Sequence, residues 1–97
     1  MNKDIAFPET SHPVDYSAKK ALASHFNQLV EDRGLNQKQI SAITGMTQPK
    51  VSQIKNYNLK NISLERLINA LVALDQRVDI IITHSKNNDS ACINVRY

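Results

Sequence analysis

Apolar residues recur every three or four positions over two long stretches of the chain and then alternate near its end. The first stretch follows Ser17, a possible N-cap, and stops at Gly34, which predicts an amphipathic scaffold helix. Its apolar stripe comprises Ala18, Ala21, Leu22, Phe26, Leu29 and Val30. A second scaffold helix is predicted after Ser63, another suitable N-cap. Its stripe comprises Leu64, Leu67, Ile68, Leu71 and Leu74. We expect these two helices to carry most of the core.

A short helix is predicted between the scaffold helices, starting just after Asn36. The Asn36 side chain can accept from an orphan backbone N–H, and Gln39 three residues later can complete a capping box. Ile40 and Ile43 are expected to bury the inner face of this helix. Gly45 can adopt the positive φ that ends it, so the chain can turn sharply there.

The next short helix is predicted to start after Thr47, which is a good N-cap, and to run to about Asn56. Pro49 is tolerated in its first turn, where the missing N–H has no intrahelical partner. Val51 and Ile54 are three residues apart and share the inward face. The remaining positions point to solvent or lie on the flanks: Gln48, Pro49, Lys50, Ser52, Gln53, Lys55 and Asn56. None of them is acidic.

A helix of this size fits the major groove of DNA, and its outward residues have the chemistry to read base edges. Glutamine pairs with adenine in a bidentate manner, lysine serves guanine or a phosphate, and a proline ring can touch a thymine methyl. We therefore predict base contacts from one face of this helix. The candidates are Gln48, Pro49, Lys50, Ser52 and Gln53.

The two short helices resemble the helix-turn-helix of the phage-repressor and Cro-like family, also called XRE. The residues that carry the resemblance are Gln37, Ile40, Ser41, Gly45, Met46, Thr47, Gln48, Val51, Ser52, Ile54 and Asn56. Residues 47–53, 63–67 and 78–82 are also similar to segments of the small antitoxin-type, HigA-like members. The resemblance covers residues 19–83; Ser41 stands where alanine is usual, and Thr44 is less apolar than is common.

This resemblance implies a mainly α, lambda-repressor-like fold of four to five helices with a C-terminal β-strand or hairpin. It also implies phosphate contacts at the start of the motif and in the loop that follows it. The candidates are Gln37, Lys38, Thr47, Lys55, Asn56, Asn58 and Lys60. The antitoxin-type members suggest an autoregulatory repressor with a small RelE/HigB-like toxin as partner. A stand-alone XRE-type regulator without a toxin is the alternative.

The alternating pattern at the end of the chain predicts two strands joined by a turn over residues 86–90. Because a lone two-stranded hairpin is marginal in water, we expect these strands to pair with a second subunit. The residues assigned to this dimer contact are Val78, Ile80, Ile81, Ile82, Ile93 and Val95. A two-fold homodimer would place two recognition helices about 34 Å apart on a palindromic operator.

Length and charge complete the domain organisation. A chain of 97 residues with 41% apolar composition holds one compact domain. We expect an irregular N-terminal arm over residues 1–16, a DNA-binding domain over residues 17–76 and dimerisation strands over residues 77–97. The arm is either a floppy terminus or a segment that wraps DNA or a partner. The net charge is +3, and residues 33–64 hold five basic residues and no acidic one.

Other function classes find little support in the sequence. Two glycines rule out a phosphate-cradling loop, and no catalytic constellation or metal-ligand spacing is visible, so we expect neither an enzyme nor a cofactor. RNA binding is an alternative, but the aromatic residues do not gather on one strand face. With a single cysteine, Cys92, and neither a secretory signal nor a long apolar run, we expect a cytoplasmic protein of bacterial or phage origin that does not bind membranes.

Overall fold

The computed structural model describes residues 13–84 and 93–97, and this part of the chain contains four helices. They are α1 (Pro13–Asp32), α2 (Gln37–Thr44), α3 (Gln48–Lys55) and α4 (Leu64–Ala73). The mainly helical fold predicted from the apolar pattern is therefore confirmed. Residues 1–12, with most of the predicted arm, and residues 85–92, with the predicted turn and Cys92, lie outside the described residues.

Side-chain caps start the three later helices as the sequence predicts. Asn36 and Gln39 form the reciprocal capping box of α2, with N···O distances of 2.8 and 2.9 Å. Thr47 and Ser63 each accept from the backbone N–H three residues on, at the starts of α3 and α4. Only α1 differs, because it begins at Pro13 rather than at Ser17. Proline suits a helix start, so the turn before Ser17 can extend α1.

Each of the four helices is followed by a residue with positive φ. Gly34 and Gly45 fill this position after α1 and α2, with φ of 64° and 78°. Tyr57 and Asp75 fill it after α3 and α4, with φ of 58° and 68°. After α1, α3 and α4, the reversal lets the next backbone N–H bond a carbonyl in the last helical turn, whereas after α2 the Met46 N–H bonds the Thr44 hydroxyl. Short connections between packed helices follow from these turns.

The core lies where α1 and α4 face the two short helices. The fully buried side chains come from α1, α3, α4 and the loop between α3 and α4: Phe26, Val51, Ile54, Leu59, Ile62, Leu67 and Leu74. The stripes of both scaffold helices are thus confirmed. The burial predicted for Ile43 is wrong, since this side chain is 44% exposed while Ile40 is buried. Three residues turn an α-helix by about 300°, and the narrow inner face of α2 holds only one of the two side chains.

Side chains of α1 hold the ends of the two helices that pack against it. Asn27 Nδ2 donates to the Ile54 carbonyl in the last turn of α3, at 3.2 Å. Lys19 Nζ donates to the Leu59 carbonyl at 3.4 Å. Beyond the end of α1, Arg33 donates to the carbonyl of Leu74 after α4, at 2.7 Å. Because helix C-termini leave carbonyls without intrahelical partners, these bonds fix α3 and α4 against one scaffold.

The C-terminal strands predicted from the alternating pattern are absent from the described residues: residues 76–84 and 93–97 form no β-ladder. The segment is nevertheless attached to the domain, since Val78 and Val95 pack on the core. The Tyr97 ring lies 4.4 Å from the His25 ring, centroid to centroid, and the His25 imidazole is hydrogen-bonded to Gln76. A single subunit offers no sheet edge to pair with, which explains why apolar alternation alone did not yield strands.

Candidate nucleic-acid interface

The turn between α2 and α3 is built by local hydrogen bonds around one buried side chain. Met46 fills the corner and is 3% exposed. The Ser41 hydroxyl donates to the Met46 carbonyl. The Thr44 hydroxyl donates to the Ile40 carbonyl and accepts from the Met46 backbone N–H, at 2.8 and 3.2 Å. Thr44 therefore ties the turn to the end of α2.

Helix α3 presents one face to the core and the opposite face to solvent. Val51 and Ile54 are buried against the scaffold. The base-contact candidates divide by exposure: Gln48 and Pro49 are exposed, while Lys50, Ser52 and Gln53 are half-buried. The N-terminal half of the helix is therefore the more accessible part. A recognition helix that enters a groove with its N-terminal end would lead with Gln48 and Pro49.

Gln53 departs from the solvent-facing orientation that the sequence predicts. Its side-chain Oε1 is buried and has no hydrogen-bond partner. A buried acceptor without a partner typically costs about 1–3 kcal/mol, so the side chain would gain by rotating toward a donor outside the protein. In the free protein, Gln53 is less ready than Gln48 to meet a base edge.

The phosphate-contact candidates lie at three places: the start of α2, the start of α3 and the segment at the end of α3. At the start of α2, Lys38 is exposed and Gln37 is half-buried. At the start of α3, Thr47 is exposed, and its hydroxyl already accepts from the Lys50 backbone N–H. At the other end of α3, four exposed side chains follow one another closely: Lys55, Asn56, Asn58 and Lys60. Donors thus flank the outward face of α3 at both ends.

The loop after α3 is attached to the core and to α1. Leu59 and Ile62 are buried, and the Lys19 ammonium bonds the Leu59 carbonyl from α1. Sequence reasoning missed Lys19 and Asn27 as supports, because a long-range bond from a side chain to a carbonyl leaves no periodic signal. It also missed Tyr57, an exposed aromatic residue directly after α3. Its place at a helix end where glycine is usual was the available signal.

The surface formed by the two short helices and this loop is cationic. Residues 33–64 hold Arg33, Lys38, Lys50, Lys55 and Lys60 and no carboxylate side chain. The Arg33 guanidinium lies 3.7 Å from the Asp75 carboxylate, so its charge is partly compensated at the end of α4. Among the described residues, no three His, Cys, Asp or Glu side chains group to hold a metal ion. The arrangement is suited to a polyanion.

The dimer-contact candidates lie on the C-terminal segment, after α4. Ile80, Ile81 and Ile82 are 73%, 82% and 91% exposed. Ile93 is also exposed, whereas Val78 and Val95 are half-buried against the core. The six residues therefore have two environments, and the three consecutive isoleucines form the larger apolar surface. No helix of the described residues is both long and apolar enough to cross a bilayer.

Comparisons with known proteins agree with this geometry. A family model described as a helix-turn-helix domain matches residues 3–83. A solved structure that carries the provisional name XRE family transcriptional regulator is 36% identical in sequence and superposes with a TM-score of 0.79. The match covers 87% of this chain and 96% of that one. A search of curated proteins finds no match.

Proposed function

This chain belongs to the XRE-type helix-turn-helix family, and from that premise we propose that it is a sequence-specific DNA-binding repressor. The observation that carries the proposal is the outward face of α3, which combines exposed amide and cationic groups. The opposite face of this helix is packed on the core and hydrogen-bonded to α1. Bound across an operator, the protein would block access of polymerase to the promoter. We place this action in the cytoplasm of a bacterial cell, where operator DNA is found.

We assign base readout to Gln48, Pro49, Lys50, Ser52 and Gln53. Gln48 supports the assignment most strongly, because it is exposed in the first turn of α3 and can pair with an adenine edge. Lys50 lies two residues further along the same helix. Two or three such contacts, each discriminating by about 1–3 kcal/mol, give a half-site useful selectivity.

Phosphate contacts would set the register of α3 in the groove. We assign them to Gln37, Lys38, Thr47, Lys55, Asn56, Asn58 and Lys60. Their placement at the starts of α2 and α3 and at the end of α3 supports this role, since contacts on both sides of a groove hold a helix against rotation. Each lysine that neutralises a phosphate should add about 0.9 to the slope of log affinity against log salt.

We further propose that the protein acts as a two-fold homodimer on a palindromic operator. The support is the exposed Ile80, Ile81 and Ile82 of one subunit, because soluble proteins rarely leave such a contiguous apolar surface uncovered. Residues 76–84 form no β-ladder in the subunit, so their backbone is open to pairing with another strand. Pairing across the two-fold axis would convert the irregular segment into the strands that the sequence pattern predicts.

Selection of bound sequences from random duplex DNA tests the function directly. We expect a two-fold-symmetric consensus whose half-site centres are 10–10.5 base pairs apart or a multiple of that spacing, the usual geometry of about one helical turn. An asymmetric consensus would reject the dimer but keep DNA readout. Recovery of unrelated sequences with no enrichment would reject sequence-specific binding altogether.

A second candidate role is that of antitoxin in a type II pair that represses its own operon. The similarity to HigA-like members supports it, and the same three isoleucines can serve a small RelE/HigB-like toxin instead of a second copy. Co-expression with the product of the neighbouring gene separates these roles. A stable complex that relieves growth arrest supports the antitoxin, whereas a neighbour that neither binds nor arrests growth favours a stand-alone regulator.

A further inference from the structure

Tyr57 occupies a backbone position that normally belongs to glycine. The Tyr57 N–H donates to the Ile54 carbonyl at 3.1 Å, and the next N–H, of Asn58, donates to the Gln53 carbonyl at 2.8 Å. This pair of bonds closes the end of α3 as a Schellman motif and requires φ of 58° at Tyr57. The end of α1 has the same motif, and there the residue with positive φ is Gly34.

An aromatic residue is costly at such a position. The left-handed region brings Cβ close to the backbone carbonyl, so only glycine enters it freely, and asparagine or aspartate do so at moderate cost. Asp75 at the end of α4 belongs to that tolerated class. Among the four helix ends that the structure describes, Tyr57 is thus the residue least suited to its backbone conformation. Strained residues that persist often lie at functional sites.

Packing covers only part of the side chain. Tyr57 is 38% exposed, and the apolar anchoring of its loop is provided by Leu59 and Ile62, which are both buried. Glycine at position 57 would leave that anchoring intact. The anchoring of the loop therefore does not depend on the ring alone, and the exposed part of the ring is accessible to a partner outside the subunit.

The surroundings of Tyr57 indicate what that contact would be. The residue lies two positions after the end of α3, between the exposed residues Asn56 and Asn58, with Lys60 shortly after. These polar and cationic neighbours match a phosphodiester backbone. The backbone around Tyr57 is also held in place, because Asn27 and Lys19 of α1 donate to the carbonyls of Ile54 before it and Leu59 after it.

We propose that Tyr57 is a DNA-contacting residue that grips the sugar-phosphate backbone at the edge of the half-site read by α3. Its hydroxyl donates a hydrogen bond to a phosphate oxygen, and its ring packs on the adjacent deoxyribose. Tyrosine provides this area with only two side-chain torsions to order. The strained turn fixes the direction of the ring before DNA arrives. This inference rests on the proposed DNA-binding function and adds a residue to that interface.

The test compares Tyr57→Gly, Tyr57→Asn and Tyr57→Phe with the wild-type protein by fluorescence anisotropy on a selected and an unrelated duplex. Loss of the ring in Tyr57→Gly or Tyr57→Asn should weaken binding to both duplexes by roughly 3- to 10-fold, the equivalent of one net hydrogen bond or packing contact. Tyr57→Phe should fall between these variants and the wild type. The ratio of the two affinities should not change, because a backbone contact carries no sequence information.

Thermal melting separates this role from a structural one. Since both glycine and asparagine relieve the left-handed strain, Tyr57→Gly and Tyr57→Asn should melt at or above the wild-type temperature while they bind DNA more weakly. Asp75, at the end of α4, provides the matched control for glycine at a helix end away from α3. Asp75→Gly and Asp75→Asn both remove the carboxylate, so these two variants should bind DNA with equal affinity.

Two results overturn the inference in distinguishable ways. In the first, the wild-type protein binds the selected duplex, and Tyr57→Gly and Tyr57→Asn bind it with the same affinity. This result rejects Tyr57 as a contact and leaves the proposed function intact. If the wild type itself binds neither duplex, the proposed function fails and this inference falls with it.

Discussion

Gln48 is the side chain of α3 best placed to reach a base without rearrangement. It is exposed in the first helical turn, whereas Gln53 keeps its Oε1 buried without a partner. Gln53 can read a base only after rotating out of its present position. The two glutamines, equivalent by residue type, therefore differ in how directly they can contribute to recognition.

We expect Gln48→Ala to reduce discrimination between the selected operator and unrelated DNA by about 1–3 kcal/mol, the usual worth of one bidentate base contact. Binding to unrelated DNA should keep its affinity and salt dependence. Competition titrations at several salt concentrations measure both quantities. Unchanged discrimination would place base readout elsewhere on the protein.

Lys55→Gln is the matched comparison for a phosphate contact. Because Lys55 lies exposed at the end of α3, its loss should weaken binding to all sequences alike and lower the salt slope by about 0.9. A change in discrimination with no change in slope would make Lys55 a base-reading residue instead.

The sequence predicts the residue types of the site better than their burial. Amide and lysine positions on α3 followed from helical spacing, and the two buried positions, Val51 and Ile54, are confirmed. The exposure of Ile43 and the buried Oε1 of Gln53 did not follow, because they depend on how far one helix is rotated against another. Helical spacing gives the relative direction of side chains and leaves the absolute rotation open.

Capping is the main local determinant at the scale of the helices. The capping box of Asn36 and Gln39 satisfies orphan donors at the start of α2, which has only eight residues and little stability of its own. The start of α2 also carries Lys38. A loosened first turn would therefore affect both the fold and the placement of Lys38, one of the proposed phosphate contacts.

We expect Asn36→Ala to lower the free energy of unfolding by about 1 kcal/mol, because it removes the side-chain acceptor for the Gln39 N–H. For a domain of this size, that change corresponds to a fall in melting temperature of roughly 4–8 °C. Thermal denaturation followed by circular dichroism measures it. Asn36→Asp keeps an acceptor and should melt near the wild type; an equal loss in both variants would show that the amide acts in another way.

Helix starts and stops were predictable for a physical reason. Each capping residue bonds backbone groups only three or four positions away, so the sequence near a helix end is enough to predict it. These residues are Asn36, Gly45, Thr47 and Ser63. Proline at position 13 was compatible with a helix start, but the apolar pattern begins only later, which hid the first turn of α1. The C-terminal strands were predicted from alternation alone, and the described residues contain none, because strand formation depends on a neighbouring strand as well as on local signals.

The C-terminal segment has two environments at the scale of the whole molecule. Val78 and Val95 pack on the core and Tyr97 lies against His25, so part of the segment belongs to the domain. Ile81 and its two neighbours remain exposed. Truncation of residues 77–97 would therefore destabilise the subunit as well as any dimer, and point substitutions are the cleaner probe.

We expect Ile81→Glu to shift the protein from dimer to monomer in sedimentation velocity while leaving the helical circular dichroism spectrum unchanged. A charge on an exposed side chain does little to the subunit but opposes burial between two copies. Val72→Glu, on the exposed face of α4, is the control and should remain dimeric. A monomeric Val72→Glu with a dimeric Ile81→Glu would place the dimer contact on α4. A monomeric wild-type protein would contradict the proposed homodimer and, with it, the palindromic operator.

The claim that α3 enters the DNA groove is tested most directly by titrating the ¹⁵N-labelled protein with a selected duplex and following backbone amide shifts. We expect the largest changes at residues 47–58 and at the start of α2, with little change at Asn69 and Val72 on the outer face of α4. Maximal shifts on α4 or the C-terminal segment, with α3 unaffected, would contradict the account.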